Sequence, residues 1–268
     1  MTFPSFSLRV AQHTAESNSH RLNHTSSTSD APVTTPEQMR DENLAFLNER
    51  GFKPATWMPL PAEVGQPSEE TGFAGGTLRP DIEIARRLCC HCAVFAWGSA
   101  PPEFETRIAE FIDRNDLRSH MTADELAVVD LPKDEATEQF ADTVGWRLEN
   151  MWSLAWILGL ADAPSATTGQ LPEEITGGLL SLFLPEFDAT PDELAAQGET
   201  QPVESVVRME DLFYLSHNAV RGGQTGRLDQ LPEGFHPIAD GGAIHERRHS
   251  LTWSLAPGAE WDETDLST

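Results

Sequence analysis

Basic residues are scarce in this chain. Eighteen Lys and Arg stand against 43 Asp and Glu, a formal net charge of −25 over 268 residues. No run of Lys or Arg is longer than two. Nucleic acid and anionic lipid surfaces are held through a concentrated basic footprint, so the balance argues against both as partners. Cysteine is also scarce. Cys89, Cys90 and Cys92 are the only three, packed into four positions. An odd number set so close cannot staple a fold, which points to a reducing, cytoplasmic setting. Long apolar runs are missing too. The most apolar stretch, 151–160, contains Ser153 and is flanked by Arg147, Glu149 and Asp162, well short of the roughly 20 apolar residues of a membrane helix. The first twenty residues hold no continuous apolar segment of the kind a secretory signal carries. Alternating patterns run for only a few residues, so strands are not expected. There is no G-x-S-x-G elbow. The one Gly-rich stretch, Gly222-Gly223-Gln224-Thr225-Gly226, follows a helical pattern and lacks the Lys of a phosphate loop.

What is present is a core. Hydrophobic residues make up 39% of the chain, with seven Trp and 13 Phe, which marks a folded protein. The pattern predicts a mainly α protein: a single multi-helix globular domain over 36–268 around a central apolar helix, preceded by a disordered tail over 1–35 that is rich in Ser, Thr, Asn and His. Thr35-Pro36-Glu37 opens a helix that runs to Arg50, with Gly51 as its stop. Residues 52–77, with four prolines and Gly75-Gly76, read as an extended loop. Pro80-Asp81 starts a second helix that ends at Gly98. Two shorter helices follow at 102–115 and 122–129, the latter with a capping box, Thr122 to Glu125. The central helix is expected over 135–159. There Phe140, Val144, Leu148, Met151, Ala155 and Leu158 fall on one side and Trp152 and Trp156 widen it. The stretch 161–200 holds room for two short helices. Another helix covers 203–220, with Gly222-Gly223 as its stop, and a last one covers 244–255 after a loop at 229–242.

Three clusters carry candidate chemistry. His245-Glu246-Arg247-Arg248-His249 fits H-E-x-x-H, which on a helix sets two imidazoles one turn apart for a zinc ion and a carboxylate to polarise its water. Against this, two Arg crowd the motif, and Thr252 and Leu255 stand where an extended motif would place Gly and His. His245 and His249 are thus a weak metal pair without a third ligand, and no metal or cofactor is expected. Cys89, Cys90, His91 and Cys92 lie on one helix, which cannot wrap four ligands round one ion. Small hydrophobes filling a helix interface account for the cysteines better. The third cluster is polar. Asp211, Tyr214, His217 or Asn218, and Arg221 share a helical face. Arg147 and Glu149 sit in the most apolar helix, and Glu246 and Arg247 begin the last one. Arg147, Glu149, Asp211, Tyr214, His217, Glu246 and Arg247 form either a pocket between three helices for an anionic or zwitterionic ligand, or a structural network of ion pairs that fixes helix register.

The order of these segments resembles a known family. Arg40 precedes Phe46-Leu47-Asn48-Glu49-Arg50-Gly51, like an "FL-ERG" phrase. Arg79, Glu83-Ile84-Ala85 and Arg87 match an "R-EIA-R" helix, and Met121-Thr122-Ala123-Asp124-Glu125 a "sP-E" turn. Trp146, Arg147, Glu149 and Ala155-Trp156-Ile157-Leu158-Gly159 match "WR-E…LWALG". Asp211-Leu212, Tyr214, His217 and Ala219-Val220 resemble "DL-YR-HWAV", and Glu246-Arg247, Leu251, Trp253 and Trp261-Asp262 resemble "ER--ALNW…DWD". Together they resemble the bacterial domain-of-unknown-function family 4272 over roughly 36–268. Leu215, Asn218, Ser250 and Thr252 depart from the family's usual Arg, Trp, Ala and Asn. The resemblance implies no activity. The expectation is a soluble cytoplasmic interaction or accessory protein without catalytic residues, with an unidentified protein or small-molecule partner. The alternative is a small-molecule or metal-dependent hydrolase that uses His245, Glu246 and His249 or the polar pocket.

Overall fold

The computed structural model describes residues 34–68 and 72–268. The expected tail lies outside the described residues, apart from Thr34 and Thr35. Among the described residues there are ten α-helices and no strands: α1 (Pro36–Glu49), α2 (Asp81–Ser99), α3 (Glu105–Arg114), α4 (Ala123–Val129), α5 (Lys133–Phe140), α6 (Trp146–Ile157), α7 (Glu173–Ser181), α8 (Pro191–Gln197), α9 (Val203–Gln224) and α10 (Ala239–Ser254). Prolines and threonines place many of the starts. Thr35, Thr122 and Thr190 each form a capping box, with Gln38, Glu125 and Glu193 respectively. These boxes satisfy the free N–H groups of the first turn. Pro80, Pro132, Pro172 and Pro202 stand just before α2, α5, α7 and α9, where a fixed φ costs nothing and no N–H is needed.

The helices assemble into one domain around α6. From Glu149 to Ile157 every residue of α6 is buried, because α10 packs along one side and α2 along another. Beyond α10 lies α9, and beyond α9 lies α1. On the other flank α2 carries α3, α4, α5 and α8. The second helix is therefore as enclosed as the central one. From Ile84 to Gly98 only Arg86 and Phe95 are not buried. Its three cysteines are fully enclosed, and burial pushes the Cys90 thiol up to about 11. They pack as small hydrophobes, as their position in the sequence suggests.

Three local expectations are corrected. The continuous helix expected over 135–159 is two helices, α5 and α6, joined by a tight turn at 141–145. Bonds of i→i+3 type replace the regular ladder there: the N–H of Thr143 donates to the carbonyl of Phe140 at 2.8 Å and that of Trp146 to Thr143 at 3.2 Å. The apolar spacing survives the turn because Val144 still faces inward, under Gly98. A Cβ on Gly98 would lie 2.8 Å from the Val144 Cγ1. Leu148 is consequently half-buried, while Trp152 and Trp156 are buried. Gly222-Gly223 does not stop α9, which continues to Gln224. A side chain on either glycine would collide with Gln230 or Leu231, so the pair clears space for the returning chain, and Gly226, at φ +98°, follows the helix end. The last helix begins at Ala239, five residues before the expected Ile244. Its Gly242 admits Trp146 of α6, whose ring would come within 2.8 Å of a Cβ.

Because Trp156 is buried at the interior of the domain, Trp156→Ala is expected to cost on the order of 3–5 kcal/mol, as large aromatic truncations in cores do. Urea denaturation measures this. A midpoint equal to that of the parent would show that α6 is not the packing centre.

Candidate functional site

The polar residues singled out in the sequence do not close on one pocket. They separate into smaller groups, most of them built round a buried arginine. The guanidinium of Arg247 is fully buried. Its Nε donates to the Glu149 carboxylate at 2.7 Å, and its remaining nitrogens donate to the carbonyls of Ser165 and Thr168 at 2.8 Å and of Gly169 at 2.5 Å. Its flat face lies over Trp152, 4.6 Å from the ring centre. Burial pushes the Glu149 carboxyl up, against the pull of Arg247. Of the residues expected to converge, Glu149 and Arg247 do meet.

The other members go elsewhere. Asp211 accepts from Arg40 of α1 at 2.6 Å and from Asn43 at 2.9 Å. Arg147 donates at 2.9 Å to Glu125, which also holds Arg87. Burial works to raise the Glu125 carboxyl, but Arg87 and Arg147 outweigh it, and its pKa falls below the usual carboxylate range. Glu246, only half-buried, accepts from Asn150 at 3.1 Å. Tyr214 lies beneath Arg248, 4.6 Å from ring centre to guanidinium carbon. Asn218 accepts from the Ala55 N–H at 2.8 Å, and Arg221 turns outward to Gln224.

Arg248, Glu210 and Arg79 matter more than the sequence pattern suggests. Arg248 is buried and ion-paired to Glu210 at 3.4 Å, with further donation to the carbonyls of Leu266 and Ser267. Thr252 adds a hydroxyl to the same carboxylate at 3.0 Å. Arg79 donates to the carbonyls of Trp253 at 2.8 Å, Ala256 at 2.6 Å and Ala259. Part of the signal lay in plain sight: Arg79 and Arg87 belong to the motif spacing of α2. Glu83 and His91 lie one turn from them, but the carbonyl partners and Glu125, some 33 to 180 residues away, had no local signature.

The histidines form a row, and their protons can be assigned from their partners. Arg248 can only donate, so the His217 Nδ1 it approaches at 2.8 Å accepts. His217 therefore bears its hydrogen on Nε2 and donates to His245 Nδ1 at 3.4 Å. His249 Nε2 lies 2.9 Å from the Trp261 carbonyl and must be its protonated nitrogen. His249 also stacks on the Trp261 ring at 4.0 Å, and His91 meets the same ring edge-on at 4.6 Å. Arg87 donates to His91 Nε2 at 3.3 Å, so Nδ1 carries the hydrogen and faces Glu125 at 3.8 Å; the 3.5 Å approach of Arg147 to that nitrogen is not a hydrogen bond. The H-E-x-x-H pair is thus divided. The rings of His245 and His249 are 6.4 Å apart at their centres, one engaged with His217 and the other with Trp261. Among the described residues no group of three His, Cys, Asp or Glu is arranged to hold a metal ion.

Fold and site together define an all-helical domain organised on buried arginine pairs. The family model described as Domain of unknown function (DUF4272) matches residues 40–264, and the chain belongs to that family. No curated protein and no solved structure matches the chain. No helix among the described residues is long and apolar enough to cross a membrane.

The row of neutral imidazoles sets a pH dependence. Burial, with Arg248 and His245 adding to it, pushes His217 down to about 2. Burial takes His249 down to about 4 despite its bond to the Trp261 carbonyl, and holds His91 well below the ordinary range. The folded-state values lie below the unfolded value of about 6.5, so in acid the unfolded chain gains protons that the folded chain refuses. Stability is therefore complete above that value and falls as pH drops through it, by on the order of 2 kcal/mol per histidine between pH 7 and 5. Glu149 and Glu210, raised by burial, act in the opposite sense nearer the carboxylate range. Urea midpoints for His217→Asn are expected to depend less steeply on pH than those of the parent. Parallel pH profiles would mean that His217 takes up a proton in the folded state.

Proposed function

We propose that this protein is an interaction or accessory module of the cytoplasm that acts by binding a protein or small-molecule partner and not by catalysis. One observation carries the reading. The charges expected to serve chemistry are engaged inside the fold: Arg247 with Glu149 and three carbonyls, Asp211 with Arg40, Arg147 with Glu125. A catalytic carboxylate or guanidinium must meet substrate, and these meet other protein groups. The net charge of −25 and the three reduced, buried cysteines are in keeping with a cytoplasmic setting.

The reading makes a quantitative demand. If Glu149 serves the fold, Glu149→Ala strands a buried guanidinium and is expected to destabilise by roughly 3–5 kcal/mol. If it serves a ligand, removal should leave stability level or raise it, since functional sites carry unpaired charge. Chemical denaturation distinguishes the two.

A second reading, a zinc-dependent hydrolase, is favoured by the nearness of His217, His245 and His249. Elemental analysis tests it. Purified protein is expected to hold no stoichiometric zinc; about one zinc per chain, lost in both His245→Ala and His249→Ala, would establish the hydrolase reading instead.

A further inference from the structure

A cleft of about 510 Å³ opens between α2, the connection from α3 to α4, and the turn that follows α10. Its size falls among small-molecule sites, which run from roughly 300 to 1,000 Å³. Two of its three arginines are already engaged. Arg79 gives its nitrogens to Glu83 and to three carbonyls, and Arg87 gives its own to Glu125, His91 and the His120 carbonyl. Arg86 stands between them and is different. It is half-buried on a helix whose other residues from Ile84 to Val94 are buried, and it makes no ion pair or hydrogen bond among the described residues.

The carboxylates on the cleft wall, Glu83 and Glu260, and Asp116 beside His120 make no ion pair with Arg86. Glu83 is paired with Arg79 at 3.2 Å, Glu260 lies in the field of Arg79, and Asp116 accepts the Ser119 hydroxyl at 2.9 Å. Behind the floor, Arg87 and Arg147 share the single carboxylate of Glu125, while His91 beside them is held neutral. That corner carries one surplus positive charge behind the floor, while on the open side Glu83 and Glu260 share Arg79. A half-desolvated guanidinium with no ion pair of its own is stabilised by an anion, and its planar fork of five donors matches an oxyanion.

Further donors surround it. His120 shows an imidazole with no side-chain bond among the described residues, kept neutral by partial burial and by Arg86. Trp253 and Trp261 form another wall, and neither indole N–H has a partner among the described residues. Both rings are held in place. Trp253 carries Arg79 over its face at 4.1 Å, and Trp261 is stacked on His249. One face of each ring is thus occupied, and the indole N–H groups remain to donate hydrogen bonds.

We propose that this cleft binds a small organic oxyanion, with the carboxylate or phosphate head group on Arg86 and further hydrogen bonds from His120 and the indole N–H groups of Trp253 and Trp261. The proposal rests on the reading of the chain as a binding module and supplies the chemistry of its ligand.

The test uses the full chain and three probes of similar size: benzoate, phenyl phosphate and the uncharged benzamide. Binding is read by calorimetry and by the indole N–H resonances of the seven Trp, assigned with Trp253→Phe and Trp261→Phe. At least one of the two anions is expected to saturate and to move the Trp253 and Trp261 resonances, while benzamide does not. Binding of phenyl phosphate alone identifies a phosphate ester site, of benzoate alone a carboxylate site, and of both a general oxyanion site. Arg86→Ala is expected to weaken the bound anion by about ten-fold or more, the worth of a charge-assisted pair. Its unfolding transition should stay in place because Arg86 has no partner to strand, and Arg86→Gln serves as a second variant with more of the side chain retained. Absence of saturation by either anion, equal binding of benzamide, or unchanged affinity in both Arg86 variants would overturn the proposal. Stoichiometric zinc in elemental analysis would sink the non-catalytic reading, whereas the anion site is judged by calorimetric affinities and by the Arg86 variants, so the two failures can be told apart.

Discussion

A fully buried guanidinium is the constraint on which this structure is organised. Arg247 is fully buried, and an unpaired cation in that position would strongly destabilise the domain. Its single carboxylate partner, Glu149, comes from α6, so the charge locks the two helices at the domain centre in register. The carboxylate takes only one of the nitrogens. The rest need acceptors, and the chain after α6 supplies them by looping back at 165–169 so that three carbonyls converge on the guanidinium. Ser216 of α9 tethers the same loop through the Ala166 carbonyl at 2.6 Å. An irregular segment with no helix of its own, buried only at Ala166, is held against the domain centre by a charge.

The same device recurs. Arg40 joins Asp211 and holds the carbonyls of Met58 and Pro59 in the proline-rich loop. Arg87 joins Glu125 and holds the His120 carbonyl. Arg248 joins Glu210 and holds the C-terminal carbonyls at 266 and 267. Arg79 holds the turn after α10. In each case a buried arginine divides its donors between a carboxylate and the carbonyls of a connection outside the α-helices. Lysine could not do this, since its ammonium is a compact point charge without a planar fork. Of the eighteen cationic residues only Lys53 and Lys133 are lysines. Lys133 plays a simpler part, donating at 2.9 Å to the Trp97 carbonyl near the end of α2, where free carbonyls and the helix dipole favour a cation.

This arrangement explains why the sequence pattern looked like a site. Charged residues at fixed offsets beside apolar stripes are what a catalytic pocket requires, and also what buried arginines with their partners require. The H-E-x-x-H spelling has a comparable origin. Arg247 and Arg248 leave α10 toward Glu149 and Glu210, and the flanking histidines fall between those two pairs, against His217 on one side and Trp261 on the other. Among the three arginines of the α2 cleft the one without such an assignment is Arg86, and it is also the one that falls outside the motif spacing shared by Arg79 and Arg87.

Helix identities were largely readable from the sequence because their causes are local. Capping boxes at Thr122 and proline starts at Pro36 and Pro80 act within one turn, and so does the 3.6-residue spacing that marks α2, α6 and α9. Family membership was readable for the same reason, as an order of short motifs. Tertiary packing decided the exceptions. Gly222-Gly223 reads as a stop until Gln230 and Leu231 are seen lying against it, and 135–159 reads as one helix until Val144 is seen turned in under Gly98. Above all, packing decided the pairings. Asp211 meets Arg40 rather than Arg147 or Arg247, and Arg147 meets Glu125 rather than Glu149. Forty-three carboxylates are available to eighteen cations, and a charge carries no sequence mark of its partner. Only the fold brings particular donors and acceptors within hydrogen-bonding reach, and burial then makes those contacts obligatory.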